Sequence, residues 1–303
     1  MLQLVLGYNI WMPVKYDLHT HSTASDGTLT PALLVARAAA AGVNVLALTD
    51  HDTTAGIGEA AGEAGRLGVC LVPGVEISVS WGPQVIHLVG LGVDVGHEPL
   101  QLGLAGLCEF RDWRAREIGR RLEKKGITGA FDGARTYSNG RLIGRMHFAR
   151  FLVDKGHAAN VRKVFQHFLV RGKPGYVPGR WATLEDAVGW IRGAGGQAVV
   201  AHPARYPLTR SKLRRLLSEF TDAGGVALEV ISGSHSRDDA FTMARHARDF
   251  GLRASAGSDY HGPENPWIEL GQLPSLPVDV VPVWRDWPPA DAGHNDEHHL
   301  HIA

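Results

Sequence analysis

The stretch Tyr16-Asp17-Leu18-His19-Thr20-His21-Ser22 closes an apolar run, and its spacing decides how the rest of the chain is read. In an extended backbone residues i, i+2 and i+4 share a face, so Asp17, His19 and His21 converge on one point. Such a pair of histidines can be no more than polar punctuation at a strand end. Repetition gives it weight. Six further apolar runs end in or carry a metal-competent side chain: NVLALTDHD (44–52), VCLVPGVEIS (69–78), QVIHLVGLGVD (84–94), QAVVAHP (197–203), GVALEVIS (225–232) and LRASAGSDYH (252–261).

Helix-like segments separate most of these runs. Thr30 is a natural N-cap, Pro31 suits the first helical position, LLVARAAAA propagates and Gly42 stops the helix. Thr183 with Asp186 opens another, and a third runs from about Ser211 to Ala223 before Gly224-Gly225. Strand, helix, strand repeated this often predicts an α/β fold with a parallel sheet, in which functional groups gather at the carboxyl ends of the strands. From Gln101 to Arg171 the alternation gives way to helical patterning alone. Phe148 and Phe151, like Phe165 and Phe168, stand three apart, as packing residues do. The expected organisation is a barrel in two parts, 1–100 and 172–285, interrupted by a small helical insertion at 101–171. The Pro-, His- and acid-rich segment 286–303 reads as a disordered tail, with His294, His298, His299 and His301 solvated.

Composition narrows the classes. The 303 residues, 44% of them hydrophobic, suffice for one barrel-sized domain with an elaboration. Thirty-one basic residues balance 31 acidic ones, which gives no support to general nucleic-acid coating. Cys70 and Cys108 are too few for a disulfide scaffold or a thiolate zinc site and suit a reducing cytoplasm. The apolar N-terminus, MLQLVLGYNIWMP, is too short to span a bilayer and lacks a basic leader, so it reads as a lead-in to the first strand. Neither a membrane nor an obligate protein partner is implied.

The candidate ligands, in chain order, are His19, His21, Asp26, Asp50, His51, Glu76, His87, His202, Asp259 and His261. Imidazoles mixed with carboxylates, without sulfur, favour manganese, zinc or iron over calcium or magnesium. Their number exceeds what one tetrahedral ion needs and points to a cluster of two or three, manganese being preferred. Asp50 and His51 are adjacent and cannot face one centre from a regular strand. His51 is therefore read as the ligand, while Asp50, and likewise Asp17, is read as an acceptor that orients a liganding imidazole. Asp259 and His261 can both point inward, and Gly257 before them permits close backbone approach.

Six motifs in order, DLHTHS with Asp26 following, LTDHD, PGVEIS, VIHLVG, AHP and GSDYH, resemble the PHP (polymerase and histidinol phosphatase) family of phosphoesterases. The resemblance implies a distorted (β/α)7 barrel with a trinuclear metal site. It implies that His19, His21, Glu76 and Asp259 hold one ion and that Asp26, His51 and His261 hold a second. Glu76 would bridge to a third, held by His87 and His202. Asp26 stands where some relatives have histidine. In the insertion, GRMHFARFLVDKG (144–156) and VRGKPGYVP (170–178) resemble the branch that removes the 3′-phosphate of nucleoside 3′,5′-bisphosphates and includes 5′-to-3′ exoribonucleases.

Charge points the same way. Between Arg141 and Arg180, Arg141, Arg145, Arg150, Lys155, Arg162, Lys163, Arg171, Lys173 and Arg180 face the single acid Asp154. Most of these suit a solvated helix face. Arg145, His147, Lys173 and Arg180 stand in stretches that look loop-like and are the candidates for gripping a phosphate, with Tyr176 or Trp181 as base-stacking partners. The expected chemistry is metal-assisted, in-line hydrolysis of a phosphoester of a nucleotide or short RNA, with Glu76, Asp259 and Arg145 at the reacting centre. Glu229 and His235, after the sixth run, suit a site role and a plain strand end equally.

Three other readings compete. One is a phosphatase of another small ester such as histidinol phosphate, and another is a non-catalytic, metal-stabilised nucleic-acid-binding module. The third, a metal-dependent amidohydrolase, expects a bridging lysine, and no strand run here ends in lysine.

Overall fold

The computed structural model describes residues 14–138 and 142–288. The apolar N-terminal segment, Arg141 and the four tail histidines fall outside them. Seven strands form one sheet in chain order: β1 (Tyr16–Thr20), β2 (Val45–Leu48), β3 (Cys70–Trp81), β4 (Gln84–Leu91), β5 (Gln197–Val200), β6 (Ala227–Ser232) and β7 (Arg253–Gly257). The ends of the sheet meet where Asp259 N donates to His19 O at 2.8 Å and His21 N to Tyr260 O at 2.9 Å. The result is a nearly closed, distorted barrel. Close approach is possible there because Gly257 lacks a side chain, since a Cβ would lie 2.2 Å from that of His19.

The sheet is not wholly parallel, contrary to the sequence expectation. β3 and β4 form an antiparallel hairpin across Gly82 and Pro83, and β4 is antiparallel to β5 as well. Reversal of this one strand explains why His87 sits in the first half of its run and not at its end. In β4 the amino-terminal half lies at the end of the barrel where the other strands place their carboxyl ends.

The helices are α1 (Pro31–Ala40), α2 (Ile57–Leu67), α3 (Glu98–Glu123), α4 (Ala130–Arg135), α5 (Arg145–Asp154), α6 (Val161–Val164) with a π-helical turn at Phe165–Leu169, α7 (Leu184–Gly193), α8 (Arg210–Asp222) and α9 (Arg237–Asp249). Thr30 and Thr183 cap α1 and α7 as their sequences predict, and Thr209 caps α8. The long α3 belongs to two cores. Leu100, Leu104 and Leu107 pack on the barrel with Ile77, Ile86 and Val188, whereas Ala115, Ile118 and Leu122 pack with Phe148, Phe151, Leu152 and Leu169. One continuous helix thus fixes the helical segment 101–171 against the strand ends. Both phenylalanine pairs pack in or against the second core, as their spacing indicates.

Candidate metal centre and substrate cleft

All nine of the expected ligands gather at one end of the barrel. His19 and His21 point inward from β1 and its exit, and their Nε2 atoms face each other at 3.0 Å. Glu76 Oε2 lies 3.4 and 3.3 Å from those nitrogens, and Asp259 Oδ1 lies 3.5 and 3.3 Å from them. A tetrahedral ion with bonds near 2.1 Å sets its ligand atoms about 3.4 Å apart, so this spacing fits a single divalent cation. A second set is Asp26, His51 and His261, with His21 alongside. Asp26 Oδ1 is 3.2 Å from His261 Nε2 and 3.9 Å from His51 Nε2.

Glu76 joins the sets. Fully buried, it meets His51 Nδ1 at 2.8 Å through Oε2, while Oε1 meets His87 Nδ1 at 2.9 Å and His202 Nε2 at 3.0 Å. The third compact set is His51, Glu76 and His87. His51 therefore stands between two centres, where sequence reasoning gives it to one. Burial alone would raise the Glu76 pKa, but the imidazoles of His51, His87 and His19 overcome it and hold the carboxyl well below its usual range. These close approaches are not aligned as hydrogen bonds for Glu76 Oε2, Asp26 Oδ1 and His51 Nδ1, and His202 Nδ1 has no hydrogen-bond partner either. Unpaired nitrogen and oxygen donors at these separations are what a cluster of divalent ions needs.

Backbone strain concentrates here too. The non-glycine residues described with left-handed φ are Asp52 (+52°), His202 (+29°) and Asp259 (+57°), two of them candidate ligands and the third next to one.

The two aspartates expected to orient imidazoles do something else. Asp50 accepts from Ser22 N at 2.8 Å and from the hydroxyls of Ser22 and Ser25 at 2.6 Å each, so it pins the loop that carries Asp26. Asp17 Oδ1 accepts from Ser258 N at 2.8 Å and ties β1 to the segment carrying Asp259; burial pushes its carboxyl up to about 7. The residue that orients an imidazole is Glu229. Its Oε1 lies 2.6 Å from His19 Nδ1 and its Oε2 accepts from His202 N at 2.5 Å, so one buried carboxylate from β6 sets two candidate ligands. His235 only approaches Val230 O at 3.2 Å.

Beside the metal centre opens a cleft of about 770 Å³. One wall carries Arg111, Arg114, Arg145, Tyr176 and Trp181, and Arg205 also borders the cleft. Arg111 is committed: Nε donates to Asp52 Oδ2 at 2.6 Å and Nη2 to Ser78 Oγ at 2.9 Å. Arg205 donates to Asp259 Oδ2 at 2.5 Å, steadying the carboxylate whose other oxygen faces the histidines. Arg114 and Arg145 have no carboxylate within ion-pairing distance among the described residues. Burial, with Arg145 and Arg111 nearby, pushes the Arg114 guanidinium down to about 9, and burial beside Arg111 lowers Arg145 too. One buried and one half-buried guanidinium, both unneutralised among the described residues, form a subsite for an anion.

The wall matches the sequence expectation only in part. Arg145 and His147 lie not in a loop but in the first turn of α5. His147 is buried, and its Nδ1 accepts from Gly144 N at 2.9 Å, so it shapes the turn that presents Arg145 and does not itself line the cleft. Lys173 and Arg180 are exposed on the surface outside the cleft lining. Tyr176 lines it as expected. Trp181 is packing: Phe110 meets it edge-on at 5.0 Å and the guanidiniums of Arg111 and Arg114 lie 5.0 and 5.5 Å from its ring, so its face is already covered. Arg111, Arg114 and Arg205 were not singled out from sequence. Arg205, three residues after His202 at the end of a strand, carried a positional signal, whereas the other two read as surface charges of a helix.

Comparison with known proteins agrees with the geometry. Over 271 residues the chain is 51% identical to a 3′,5′-nucleoside bisphosphate phosphatase of Chromobacterium violaceum, covering 89% of this chain and 95% of that protein. It is 49% identical to the 5′-3′ exoribonuclease Rnm of Salmonella typhimurium, covering 90% and 94%. A solved structure described as an amidohydrolase from Chromobacterium violaceum, with bound sulfate and no metal, superposes with a TM-score of 0.87 at 50% identity over 90% of this chain and 95% of that one. The model of the PHP domain matches residues 17–230, which span β1 to β6 and hold seven of the nine donors of the metal centre. On motif order, fold and this match together, the chain belongs to the PHP domain family.

Proposed function

We propose that this chain is a metal-dependent phosphoesterase that removes the 3′-phosphate of nucleoside 3′,5′-bisphosphates and shortens RNA from its 5′ end. One observation carries the reading: a His/Asp/Glu centre, eight of whose residues fall into three compact sets with His202 3.0 Å from Glu76, and an unneutralised arginine pair, Arg114 and Arg145, border the same cleft. A substrate with two phosphates can place one on each.

Glu76, His19, His21 and Asp259 would hold one ion, Asp26, His51 and His261 a second, and His87 and His202 with Glu76 a third. Manganese is the preferred ion, from the mixed nitrogen and oxygen donor set. Bound divalent ions supply Lewis acidity, making water a stronger nucleophile at neutral pH and neutralising charge on phosphoryl oxygens.

The chain's own groups do the positioning. Arg145 and Arg114 grip the 5′-phosphate with paired N–H donors, Tyr176 closes that subsite, and Arg111, locked to Asp52 and Ser78, keeps the wall in register with β3. Glu229 fixes the ring of His19, and Arg205 fixes the carboxylate of Asp259. Water attacks phosphorus in line with the 3′ oxygen; the bond from phosphorus to that oxygen breaks, and the departing oxygen takes a proton. In a bisphosphate this releases inorganic phosphate. In RNA it releases a 5′-mononucleotide and leaves the shortened strand with a 5′-phosphate, the handle for the next round. The free cysteines Cys70 and Cys108 suit a reducing cytoplasm, and no helix among the described residues is long and apolar enough to cross a membrane.

The test is phosphate release from adenosine 3′,5′-bisphosphate (pAp), 3′-AMP, 5′-AMP and histidinol phosphate under one manganese condition. The expected order puts pAp well ahead of 3′-AMP, because binding energy from the remote phosphate is realised in the transition state. Equal rates on pAp and 3′-AMP, or a preference for histidinol phosphate, would refute the two-phosphate reading.

A further inference from the structure

The cleft has a second wall with different chemistry. It is formed by Arg205, Ser234 and the segment from Gly262 to Ile268 that follows His261. Trp267 stands in it with 89% of its surface exposed. A large aromatic that borders a cleft yet packs on almost nothing contrasts with Trp181, which lines the same cleft with its face taken by two arginines.

The segment that carries Trp267 is anchored on both sides of it. Thr28 Oγ1 donates to Glu264 Oε2 at 2.9 Å and Thr28 N to His261 O at 2.8 Å, which ties the segment to the loop bearing Asp26. Ile268 packs beside the core of α1 and α2, its Cγ2 3.0 Å from where a Cβ on Gly233 would stand. With Ile268 turned inward and Glu264 tethered, the indole between them is presented outward. Pro266 immediately before it removes one backbone freedom.

The metal donors Asp26, His51, Glu76 and His261 line the same cleft as the arginines and Trp267, and the Trp267 segment runs on directly from His261, whose Nε2 is 3.2 Å from Asp26 Oδ1. If the 5′-phosphate sits on Arg114 and Arg145 and the scissile phosphorus over the metal donors, as the proposed function has it, whatever is esterified beyond that phosphorus needs cleft surface that the arginines do not occupy, and Trp267 is the exposed aromatic of that lining. In RNA that is the next nucleoside. We propose that Trp267 is a stacking platform for the nucleobase immediately 3′ of the scissile phosphate. An indole face accepts any base, which suits an activity that must proceed through every sequence. A nucleoside bisphosphate has no such base, so Trp267 divides the two substrate classes: it contributes to RNA and has nothing to hold in pAp.

The test compares kcat/KM for the dinucleotide pApA with that for pAp in the wild type, Trp267→Ala and Trp267→Phe. Stacking on one aromatic corresponds to about a 5- to 150-fold effect, so the pApA/pAp ratio should fall by that factor in Trp267→Ala and recover in part in Trp267→Phe. A second readout does not depend on turnover. A 5′-phosphorylated dinucleotide with 2-aminopurine in the second position should lose emission on binding to the wild type, and much less on binding to Trp267→Ala. An unchanged ratio with unchanged quenching would overturn the inference. So would a change of oligomeric state in Trp267→Ala by sedimentation, which would assign the exposed indole to a subunit contact. A wild type that hydrolyses neither substrate would overturn the proposed function itself. Wild-type turnover of both with an unaltered ratio in the variant would leave that function standing and remove only Trp267.

Discussion

The metal centre and the arginine wall share one cleft but are built on opposite principles. Most donors of the centre stand at or just past a strand end, with Glu76 and His87 inside β3 and β4 and Asp26 on the loop after β1, and their short motifs are legible because a strand of period two states which way a side chain points. The wall takes Arg111 and Arg114 from α3 and Arg145 from α5, each one charge among many on helices whose docking the sequence does not state. The centre is also dense with mutual contacts, whereas Arg114 and Arg145 stand without counter-charges among the described residues. The contrast is that of a cage for cations, which must be over-determined to hold them, and a receptor for an anion, which must be left incomplete.

Breaking the centre should have the largest effect. Glu76 meets His51, His87 and His202 at 3.0 Å or less, so Glu76→Ala should reduce activity by about 10³-fold or more and lower metal content by more than one ion per chain, read by elemental analysis. Retention of a full metal complement would show that Glu76 bridges nothing. Glu229→Gln sharpens the comparison one layer out. It keeps the shape but not the charge against His19 Nδ1, and such partners typically cost 10- to 100-fold in metal affinity or activity, so an effect of about that size is expected in a metal titration.

A smaller effect concerns the foundation of the wall. Burial holds His147 down to about 4, below the ordinary value of 6.5. A histidine depressed in the folded state stabilises above its unfolded pKa and loses that contribution as pH falls from about 6.5 toward 4, because only the unfolded chain gains the proton. Between pH 7 and 5 the loss from this one group amounts to about 2 kcal/mol. Thermal unfolding of His147→Gln should therefore show a weaker acid destabilisation than the wild type. Parallel pH profiles of the two proteins would contradict it.

The particular misreadings have physical causes. Residues 81–84, Trp-Gly-Pro-Gln between two apolar runs, were a hairpin signal, and reading them so would have reversed β4 and explained the mid-strand position of His87. Asp50 and Asp17 accept from serine amides and hydroxyls and not from the imidazoles their positions suggest, since a carboxylate at a strand end has backbone amides and hydroxyls in reach as well. Glu229 could not be promoted from sequence because its partners, His19 and His202, are 210 and 27 residues away. Lys173 and Arg180 were drawn in by their glycine- and proline-rich surroundings, which mark a turn but not the face it exposes. Arg145 was found from motif context, although its side chain is presented by a helix start and not by a loop.

The central claim is that the arginine wall exists to hold a second phosphate. It is tested most directly by measuring kcat/KM on pAp and 3′-AMP in the wild type, Arg145→Ala and, as an exposed control, Lys173→Ala, with metal content checked in each. Arg145→Ala should lose about 10²-fold on pAp and little on 3′-AMP, collapsing the preference for two phosphates at full metal occupancy, while Lys173→Ala keeps the wild-type ratio. Equal losses on both substrates in Arg145→Ala, or a preference that survives the substitution, would contradict the account.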